Sequence, residues 1–505
     1  MKTIALINDP VRWAALLGTK SEGYWIKRGE RMACALLADM ARNVPAYKKH
    51  LADFHIRLPK KPGMRDFLSA PIIGKDSYLR KYSLTDLCWM GSLTGMPRIV
   101  SATSGSTGDP FYFPRSQEQD LQYAAVAEMY LRSNFSIHTK STLFIVGWGM
   151  GVWIGGVFSY AAIRIVAERG KYPLSIITPG TSSDEILKAV QKFAPLYDQI
   201  IIGGYPPMIK DLIDEGERRG MEWKKSHVKF IFSAEGFSEA FRTYVIKHAG
   251  LLHEYTDTLN HYGSVDLGTM AHETPLAILV RRLAVKNPVL NEALFGQKHN
   301  QPTLAQYIPE LFYFEADSGN LLCTARSGIP LVRYDLMDTG GILTFKEMQK
   351  VFAAYGVNLD AEIKKAGIAA TVWNIPFVYL FERRDFTVKI FGANIYPQEI
   401  RRALEAVRFR KVLTGKHTAE AYYDQQMNQS WNVHVELQKN SKSSALLMRE
   451  IQAQIISELT EHNSEFANNL KSMGERRMTP NVFCWPYGSP PHFSSSGKHK
   501  WVRKT

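Results

Sequence analysis

Between residues 141 and 270 the chain alternates short apolar runs with longer amphipathic stretches, and this alternation restricts the fold more than any other feature. Four short runs are expected to be strands, namely STLFIVGW, LSIITP, DQIIIGGYP and VKFIFSAEG. Three longer stretches repeat apolar residues at helical spacing, namely SDEILKAVQKFAPL, PPMIKDLIDEGERRG and SEAFRTYVIKHAG. Strands and helices in this order predict an α/β fold, with a parallel sheet covered by helices and functional residues in the loops beyond the strand ends.

The rest of the sequence indicates a second domain. Apolar runs between residues 275 and 345 predict further strands, namely AILVRR, LFYFEA, NLLCTA, PLVRYDL and GILTF. Two more strands flank the charged break ERRD near residue 383, and residues 397–505 alternate again. A chain of 505 residues is too long for one ordinary core. We therefore predict a large N-terminal domain over residues 1–384, with parallel and mixed sheets, and a small α+β C-terminal domain over residues 385–505.

The charge of the chain narrows the classes of ligand. Lysine and arginine outnumber aspartate and glutamate by 62 to 48, which gives a net charge of +14. This balance admits nucleic acid, anionic lipid and polyanionic small molecules such as nucleotides or coenzyme A. No segment rich in arginine or lysine is interleaved with aromatic residues, so we expect no nucleic-acid partner.

The cysteines and the N-terminal sequence indicate the compartment. Cys34, Cys88, Cys323 and Cys484 lie far apart and form no CxxC pair, so a zinc knuckle is not expected. Few, scattered cysteines are typical of a reducing cytosol. The first residues, MKTIALINDPVRW, contain only a short apolar run before an Asp-Pro pair, which is a poor signal peptide. We therefore expect a cytoplasmic protein.

An uncharged run of membrane-spanning length, FIVGWGMGVWIGGVFSYAAI, covers residues 144–163. It contains five glycines, and each glycine inside a helix costs about 1 kcal/mol. We therefore expect no transmembrane span here. The run is predicted to be a strand, a glycine-rich turn and a buried helix that forms a pocket wall.

A loop of small and hydroxylated residues, TSGSTGDP at 103–110, follows the strand-like run PRIVSAT and precedes the helix-like run QDLQYAAVAEMYLRS. Gly105 and Gly108 allow backbone N–H groups to approach an anion closely. No lysine follows, so the loop is not a nucleotide-binding loop of the GxxxxGK[ST] kind. A plain surface turn is the alternative. The hydroxyl donors of the loop are Ser104, Ser106 and Thr107.

Four further motifs could carry chemistry, and each has a purely structural alternative. In HYGSVDLG, Tyr262 could stack on a purine and Asp266 could hold Mg²⁺ on a triphosphate, or they could be a core tyrosine and a solvated acid. In IPLVRYDLMDTGG, Asp335 or Asp338 could accept the hydroxyls of a ribose, or cap its own turn. FERRDFTVKIFGANIYPQEI predicts a tight turn at Gly392 ahead of a helix. PHFSSSGKHKWVRKT is either a basic site segment or a frayed tail.

In this order and at these spacings, the motifs resemble those of the adenylate-forming superfamily, which comprises acyl-CoA synthetases, nonribosomal peptide adenylation domains and luciferases. The branch most like this chain is the phenylacetate–CoA ligase group with its capsule-biosynthesis relatives, and the resemblance covers nearly the whole chain. It implies activation of a carboxylic acid with MgATP to an acyl-adenylate and pyrophosphate. It also implies a mobile small domain that rotates before a second nucleophile attacks the adenylate.

The resemblance assigns roles residue by residue. Lys498, in SSSGK, corresponds to the mobile catalytic lysine, and Asp266 to the acid that binds Mg²⁺. Asp385 corresponds to the hinge between the domains, and Gly392 to the loop that lines the thiol channel. The remaining residues would surround ATP: Thr103, Ser104, Gly105, Ser106, Thr107 and Gly108 at its phosphates, Ser233, Ala234, Glu235 and Gly236 beside adenine, Tyr262 and Gly263 in the Tyr-Gly motif, and Asp338 and Arg383 at the ribose.

The sequence departs from the superfamily pattern in its phosphate-binding residues. The loop lacks its usual late lysine, for which Arg115 is a candidate substitute. The acid after Tyr-Gly is an aspartate rather than a glutamate, and Val265 replaces the small hydroxylated residue before it. Glu273 is a second candidate for the metal, and Lys500 is a rival to Lys498.

The acid pocket and the acceptor are less specified. Relatives build the acyl pocket in the region of the glycine-rich run, which implicates Trp148, Met150, Trp153 and Ile154, with Tyr205 beside them. Such side chains favour an aromatic or apolar carboxylic acid. The acceptor is expected to be the thiol of CoA. An amine or a carrier protein is the alternative, and a non-catalytic nucleotide-binding relative is a third. The oligomeric state, a homodimer included, stays open.

Overall fold

The computed structural model describes residues 3–95, 99–103, 110–298, 300–383, 388–493 and 502. Helices dominate the first 95 residues, as their apolar spacing indicates. Helix α3 buries Trp25, Leu36, Leu37 and Met40 along one face. The elements before the main sheet are α1 (Thr3–Ile7), α2 (Pro10–Thr19), α3 (Glu22–Asn43), α4 (Pro45–Asp53), α5 (Met64–Ser69), a π-helix (Lys75–Leu79), α6 (Leu84–Leu87), the hairpin strands β1 (Ile99–Ala102) and β2 (Tyr112–Arg115), and α7 (Gln117–Phe135).

The predicted alternation forms the parallel half of one sheet. Its three central strands are buried throughout, because helices cover both faces, whereas its edge strand is only partly buried. Neighbouring strands in this half run in the order β4-β3-β5-β6-β7. The elements are β3 (Thr142–Val146), α8 (Ile154–Gly170), β4 (Leu174–Ile177), α9 (Ser183–Phe193), β5 (Gln199–Gly204), α10 (Pro206–Arg218), β6 (Val228–Phe232), α11 (Glu239–His248) and β7 (Thr258–Ser264).

The same sheet continues with antiparallel strands, so that eleven strands in all follow the order β10-β11-β12-β13-β9-β8-β7-β6-β5-β3-β4. The prediction of a large mixed sheet covered by helices is confirmed. The added elements are β8 (Gly268–His272), α12 (Pro275–Val285), α13 (Pro288–Phe295), β9 (Thr303–Gln306), β10 (Phe312–Asp317), β11 (Asn320–Ala325), β12 (Leu331–Leu343), α14 (Phe345–Ala354), α15 (Leu359–Lys365) and β13 (Phe377–Arg383).

One strand prediction in this region is wrong. The run AILVRR lies inside helix α12 rather than in a strand. Thr274 caps the helix by accepting from the N–H of Ala277, and Pro275 occupies the first turn. A short apolar run has no distinguishing period, so the cap in front of it decides the structure.

The uncharged run at 144–163 forms strand β3, a turn and helix α8, as predicted. Strand β3 is fully buried in the sheet. In the part of the chain that the structure describes, every helix is too short or too polar to cross a bilayer.

The C-terminal residues have a separate hydrophobic core, built from buried residues between Val388 and Val502. A three-stranded sheet in the order β16-β17-β18 packs against helices α16 and α17. The boundary predicted at Asp385 lies outside the described residues. The elements are β14 (Val388–Ile390), β15 (Ala393–Ile395), α16 (Pro397–Leu404), β16 (Leu413–Tyr423), β17 (Gln429–Leu437), α17 (Ala445–His462), α18 (Ser464–Met473), α19 (Glu475–Met478) and β18 (Asn481–Trp485).

Candidate active site

A cavity of about 200 Å³ lies where the parallel strands end. Gly149 follows β3, Tyr205 follows β5, Ser233 and Ala234 follow β6, and Ser264 ends β7, and all of them line the cavity. This is the edge at which parallel sheets of this kind bind ligands. Residues of the C-terminal core cover the opposite side: Lys389, Gly392, Ala393, Asn394, Tyr396, Glu465, Asn468 and Asn469.

One part of the cavity contains the residues assigned to phosphate and metal. Thr103 lines it, and its hydroxyl accepts from the N–H of Phe111 at 3.0 Å, which fixes the two ends of the glycine-rich loop against each other. Asp266 also lines it, is 8% exposed and accepts a hydrogen bond from the Tyr334 hydroxyl at 2.6 Å. Ser104, Gly105, Ser106, Thr107 and Gly108 lie outside the described residues.

Lys75 is a cavity residue that the sequence analysis did not single out. It begins the π-helix that follows Ile73, and Ile73 bridges to Tyr334 on strand β12. This bridge places the N-terminal segment next to Tyr334, the residue whose hydroxyl donates to Asp266. Nothing local marks Lys75 as a site residue, because the segment around it matches no motif and cavity residues such as Asp266 are distant in sequence.

The residues assigned to the ribose lie together. The Tyr262 hydroxyl donates to Asp338 Oδ2 at 2.6 Å, and Asp338 is 6% exposed. Strand β12 places Asp338 directly opposite Arg383 on β13. Three residues that are separate in sequence are therefore brought to one place by strands β7, β12 and β13 of the same sheet.

The loop assigned to adenine also forms hydrogen bonds with residues of the C-terminal core. Lys389 Nζ donates to the carbonyl oxygen of Ala234 at 2.9 Å. The buried Glu235 carboxylate accepts from Gln429 Nε2 at 2.8 Å, from the Tyr423 hydroxyl at 3.3 Å and from the N–H of Gly392. Burial raises the pKa of Glu235, and these donors offset part of the rise. Glu235 thus contacts three separate C-terminal segments.

Gly392 occupies a position that only glycine fits. Phe391 and Gly392 form the two-residue turn between β14 and β15, with φ of 48° and 85°, the geometry of a tight hairpin. A Cβ on Gly392 would lie 2.9 Å from the ring of Tyr205. On the other side of the turn, Asn469 on α18 donates to the carbonyl oxygen of Phe391 at 2.9 Å. The predicted tight turn therefore packs against Tyr205, and Gly392 lines the cavity.

A second set of contacts joins helix α10 to the C-terminal core away from the cavity. Arg477 pairs with Asp211 at 2.9 Å, and Lys210 donates to Asn428. Burial raises the pKa of Asp211 to about 6, so its pair with Arg477 is charged on both sides only above that pH.

The residues assigned to the acid pocket divide into two groups. Trp153, Ile154 and Tyr205 line the cavity. Among the described residues, Trp148 and Met150 do not belong to its lining: the Trp148 ring packs where a Cβ on Gly203 would lie, and the Met150 sulfur packs on Gly156.

Polar side chains lie between the aromatic ones. Tyr123 from α7, Ser159 from α8, His261 from β7 and Thr269 from β8 all line the cavity around Phe158. Burial raises the pKa of Tyr123, while hydrogen bonds with Tyr130, Ser159 and Thr269 lower it. Sequence reasoning missed these four residues, since they come from four elements and the one that lies in a motif, His261 in HYGSVDLG, has no role in that motif's pattern.

No protein-family model matches the chain, and no curated protein matches it. Solved structures of 2-hydroxyisobutyryl-CoA ligase do match. In complex with 2-HIB-AMP and CoA in the thioesterification state, that enzyme gives a TM-score of 0.62 at 14% identity, over 96% of this chain and 89% of the other. In the postadenylation state with R3-HIB-AMP, the TM-score is 0.53 at 14% identity, over 97% and 92%. An open conformation with 2-HIB-AMP and CoA gives 0.51 at 13% identity, over 95% and 91%.

The chain has the fold of an adenylate-forming CoA ligase. The resemblance inferred from the motifs is therefore confirmed at the level of fold. Because the likeness runs over nearly the full length of both chains, it includes the C-terminal core as well as the large sheet.

Two residues considered for the phosphate and metal sites are engaged elsewhere. Arg115 is 3% exposed, and its Nε donates to Asp120 at 2.7 Å while its guanidinium lies over the ring of Phe158. Glu273 is fully buried and pairs with Arg242 at 2.7 Å and with Arg281 at 2.8 Å. Moving either group to a ligand would leave a buried charge unpaired, which costs several kcal/mol.

Metal binding would depend on few protein ligands. Within the described ranges, no group of three His, Cys, Asp or Glu side chains is placed to hold an ion. Mg²⁺ bound with a nucleotide commonly takes one or two carboxylates and completes its shell with phosphate oxygens and water. Asp266 at the cavity wall fits that pattern.

The catalytic lysine candidates, Lys498 and Lys500, lie outside the described residues. The chain on either side of them is anchored. Phe493 is buried, and Val502 bridges to Ala419 on strand β16. His492 stacks on His434 of strand β17 at 3.7 Å, so the C-terminal sheet contacts the chain both before and after the two lysines.

Proposed function

We propose that the protein activates a carboxylic acid with MgATP to an acyl-adenylate, releases pyrophosphate, and transfers the acyl group to the thiol of CoA. The observation that carries the proposal is the composition of one cavity. The cavity joins Thr103 and Asp266, the Ser233–Ala234 loop and the Gly392 turn of the C-terminal core. A fold shared over nearly the whole chain with a CoA ligase supports it.

The chemistry has two steps. In the first, a carboxylate oxygen of the acid attacks the α-phosphorus of ATP, the bond to the bridging oxygen breaks, and pyrophosphate leaves with the electron pair. In the second, a thiolate sulfur attacks the acyl carbonyl carbon, the bond to the phosphate oxygen breaks, and AMP leaves. Both steps build negative charge on phosphate oxygens, which fixed donors and cations stabilise.

The described residues can supply much of this environment. Asp266 would hold Mg²⁺, which neutralises phosphate charge when it is bound with ATP. Asp338, with its partner Tyr262 and with Arg383 opposite, would accept the ribose hydroxyls. Lys498 would provide a point charge for the first step.

We further propose that residues 1–384 form the nucleotide- and acid-binding domain and that residues 385–505 form a mobile domain. The separate C-terminal core supports this division. The contacts of Glu235 and Gly392 suit the second step, since they bring the thiol-channel turn against the cavity. A cytoplasmic location, where ATP and CoA are available, suits the few, scattered cysteines of the sequence.

Transfer to an amine or to a carrier protein is the alternative. It shares the first step and the residues that serve it, so the cavity does not distinguish the acceptors. A non-catalytic nucleotide-binding role is a further alternative.

Pyrophosphate release from MgATP over a broad panel of carboxylic acids tests the proposal. We expect release with at least one acid and, in the presence of CoA, stoichiometric AMP and thioester. Hydroxylamine in place of CoA traps an adenylate that has no thiol acceptor. Absence of pyrophosphate release across the whole panel would refute adenylation. Release that CoA does not accelerate, but an amine does, would assign the amide reaction.

Lys75 is expected to supply part of the positive charge that the glycine-rich loop lacks. Replacing it with alanine should slow pyrophosphate release about 10- to 100-fold and raise the KM for ATP, because one cation beside the phosphates is lost. Steady-state kinetics with varied ATP measure the effect. Lys81→Ala is the matched control, since Lys81 lies in the same segment but pairs with Asp53 on the surface. Equal, small effects of the two changes would show that Lys75 does not contact the phosphates.

A further inference from the structure

The acid-binding wall of the cavity has a polar interior. His261 is 7% exposed, and its Nε2 atom is buried without a hydrogen-bond partner among the described residues. Burial lowers the pKa of His261 to about 3, with a smaller contribution from His272, so its imidazole is neutral at physiological pH. A neutral imidazole offers one donor and one acceptor. A buried nitrogen without a hydrogen-bond partner costs free energy, and a ligand that hydrogen-bonds to it removes that cost.

The surroundings of His261 define the kind of ligand group that would hydrogen-bond to its Nε2 atom. Its ring lies 6.2 Å from that of Tyr123, and the Tyr123 ring lies 4.5 Å from that of Phe158. The cavity-lining residues contributed by helices α7 and α8 include no charged side chain. The Arg115 guanidinium, which lies over the Phe158 ring, is already paired with Asp120. A charged substituent on the ligand would therefore be buried without a free counter-ion, which is unfavourable. A neutral hydroxyl can both donate and accept, and it suits an imidazole beside hydroxylated neighbours.

We propose that the acid is a hydroxyaryl carboxylic acid whose neutral hydroxyl group binds beside His261 and Tyr123. This inference rests on the proposed acid activation. The aromatic rings of Phe158 and Trp153 provide flat apolar walls for the aryl ring. His261 acts as a specificity-determining residue, because an acid without the hydroxyl leaves its Nε2 atom unpaired. Tyr123, which already hydrogen-bonds with Tyr130, Ser159 and Thr269, adds a polar neighbour for the hydroxyl. The expectation of an aromatic or apolar acid is thereby narrowed to an aromatic acid that carries a hydroxyl group.

Matched pairs of acids test the proposal. Hydroxylated benzoates and phenylacetates are compared with analogues in which a methyl group replaces the hydroxyl, with pyrophosphate release as the readout. We expect kcat/KM to favour the best hydroxylated acid over its methyl analogue by about 10- to 100-fold. His261→Leu should reduce that ratio to about 1, while His261→Asn, which keeps hydrogen-bonding atoms, should retain part of it.

His272→Leu is the matched control, since His272 is also buried with an unpaired Nε2 but does not line the cavity. It should leave the ratio unchanged. If His261→Leu fails to fold, Tyr123→Phe, which removes only one hydroxyl group, replaces it as the test variant. It should lower the ratio. A preference for methyl analogues, or a ratio that neither variant changes, would overturn the inference while leaving acid activation intact.

Calorimetric binding of the same acid pairs separates the two proposals. If no acid releases pyrophosphate, the proposed reaction fails, and the binding ratio still decides the inference. Tighter binding of the hydroxylated acid that His261→Leu abolishes would support it. Equal binding of the two analogues would refute it.

Discussion

Replacing Lys498 with alanine is expected to slow adenylate formation about 100- to 1,000-fold, the usual cost of losing one group that stabilises transition-state charge. Attack on the α-phosphorus moves negative charge onto the bridging oxygen, and a lysine ammonium is a compact charge that can approach it. Single-turnover release of pyrophosphate from MgATP and acid measures the step. Thioester formation from a preformed acyl-adenylate should change less than about 3-fold, because that step does not use this lysine.

Lys500→Ala distinguishes the two lysines of the segment. It is expected to leave pyrophosphate release within about 3-fold of the unchanged protein, since Lys498 follows Gly497 as the superfamily pattern requires. If Lys500→Ala abolishes adenylation and Lys498→Ala does not, the assignment of the catalytic lysine is wrong. If neither change affects pyrophosphate release, the C-terminal segment does not take part in the first step.

Replacing Glu235 with alanine is expected to affect the opposite half-reaction. Its carboxylate accepts hydrogen bonds from Gly392, Gln429 and Tyr423, so its removal leaves buried donors unpaired only when the C-terminal core is docked. Each unpaired buried donor costs about 1–3 kcal/mol, which corresponds to about 10- to 100-fold in the docking equilibrium. Thioester formation from a preformed adenylate should fall by that factor, while pyrophosphate release should change less than about 3-fold.

Glu222→Ala is the matched control for Glu235→Ala. Glu222 is exposed, pairs with Lys225 at 2.7 Å and precedes the same strand, so both half-reactions should stay unchanged. Glu235→Gln keeps one acceptor oxygen and should give an intermediate effect. Equal losses in both half-reactions would indicate that Glu235 instead supports the adenine loop. No loss in either would show that these hydrogen bonds do not control docking.

Much of the fold could be read from local patterns. Helical spacing and short β-branched runs, repeated along the chain, predicted the parallel half of the sheet and the split of residues 144–163 into strand and helix. The pattern wrongly predicted a strand at AILVRR, because the capping residue before this short apolar run favours a helix. The order of the motifs was sufficient to predict the superfamily fold, because each motif is a short local sequence with its own spacing.

The arrangement of the residues in and around the cavity depends on contacts across the chain. Tyr262 and Asp338 are 76 residues apart, and Glu235 and Gly392 are 157 apart. No periodicity reports such distances, so the sequence indicated that Glu235 belongs to the adenine loop but not that it holds the C-terminal core. Trp148 and Trp153 look equivalent in the same run, yet one packs on Gly203 and the other lines the cavity.

By itself, then, the sequence determined the strand–helix alternation, the motifs and their order, since these depend on neighbouring residues. The tertiary structure alone decided which side chains share the cavity. It brought Lys75 from the N-terminal helices to the cavity and placed His261 beside Tyr123. It also paired Arg115 and Glu273 with buried partners that leave neither for a ligand. The physical reason is that burial and pairing depend on which distant segments pack together, and the free energy of that packing is a property of the whole fold.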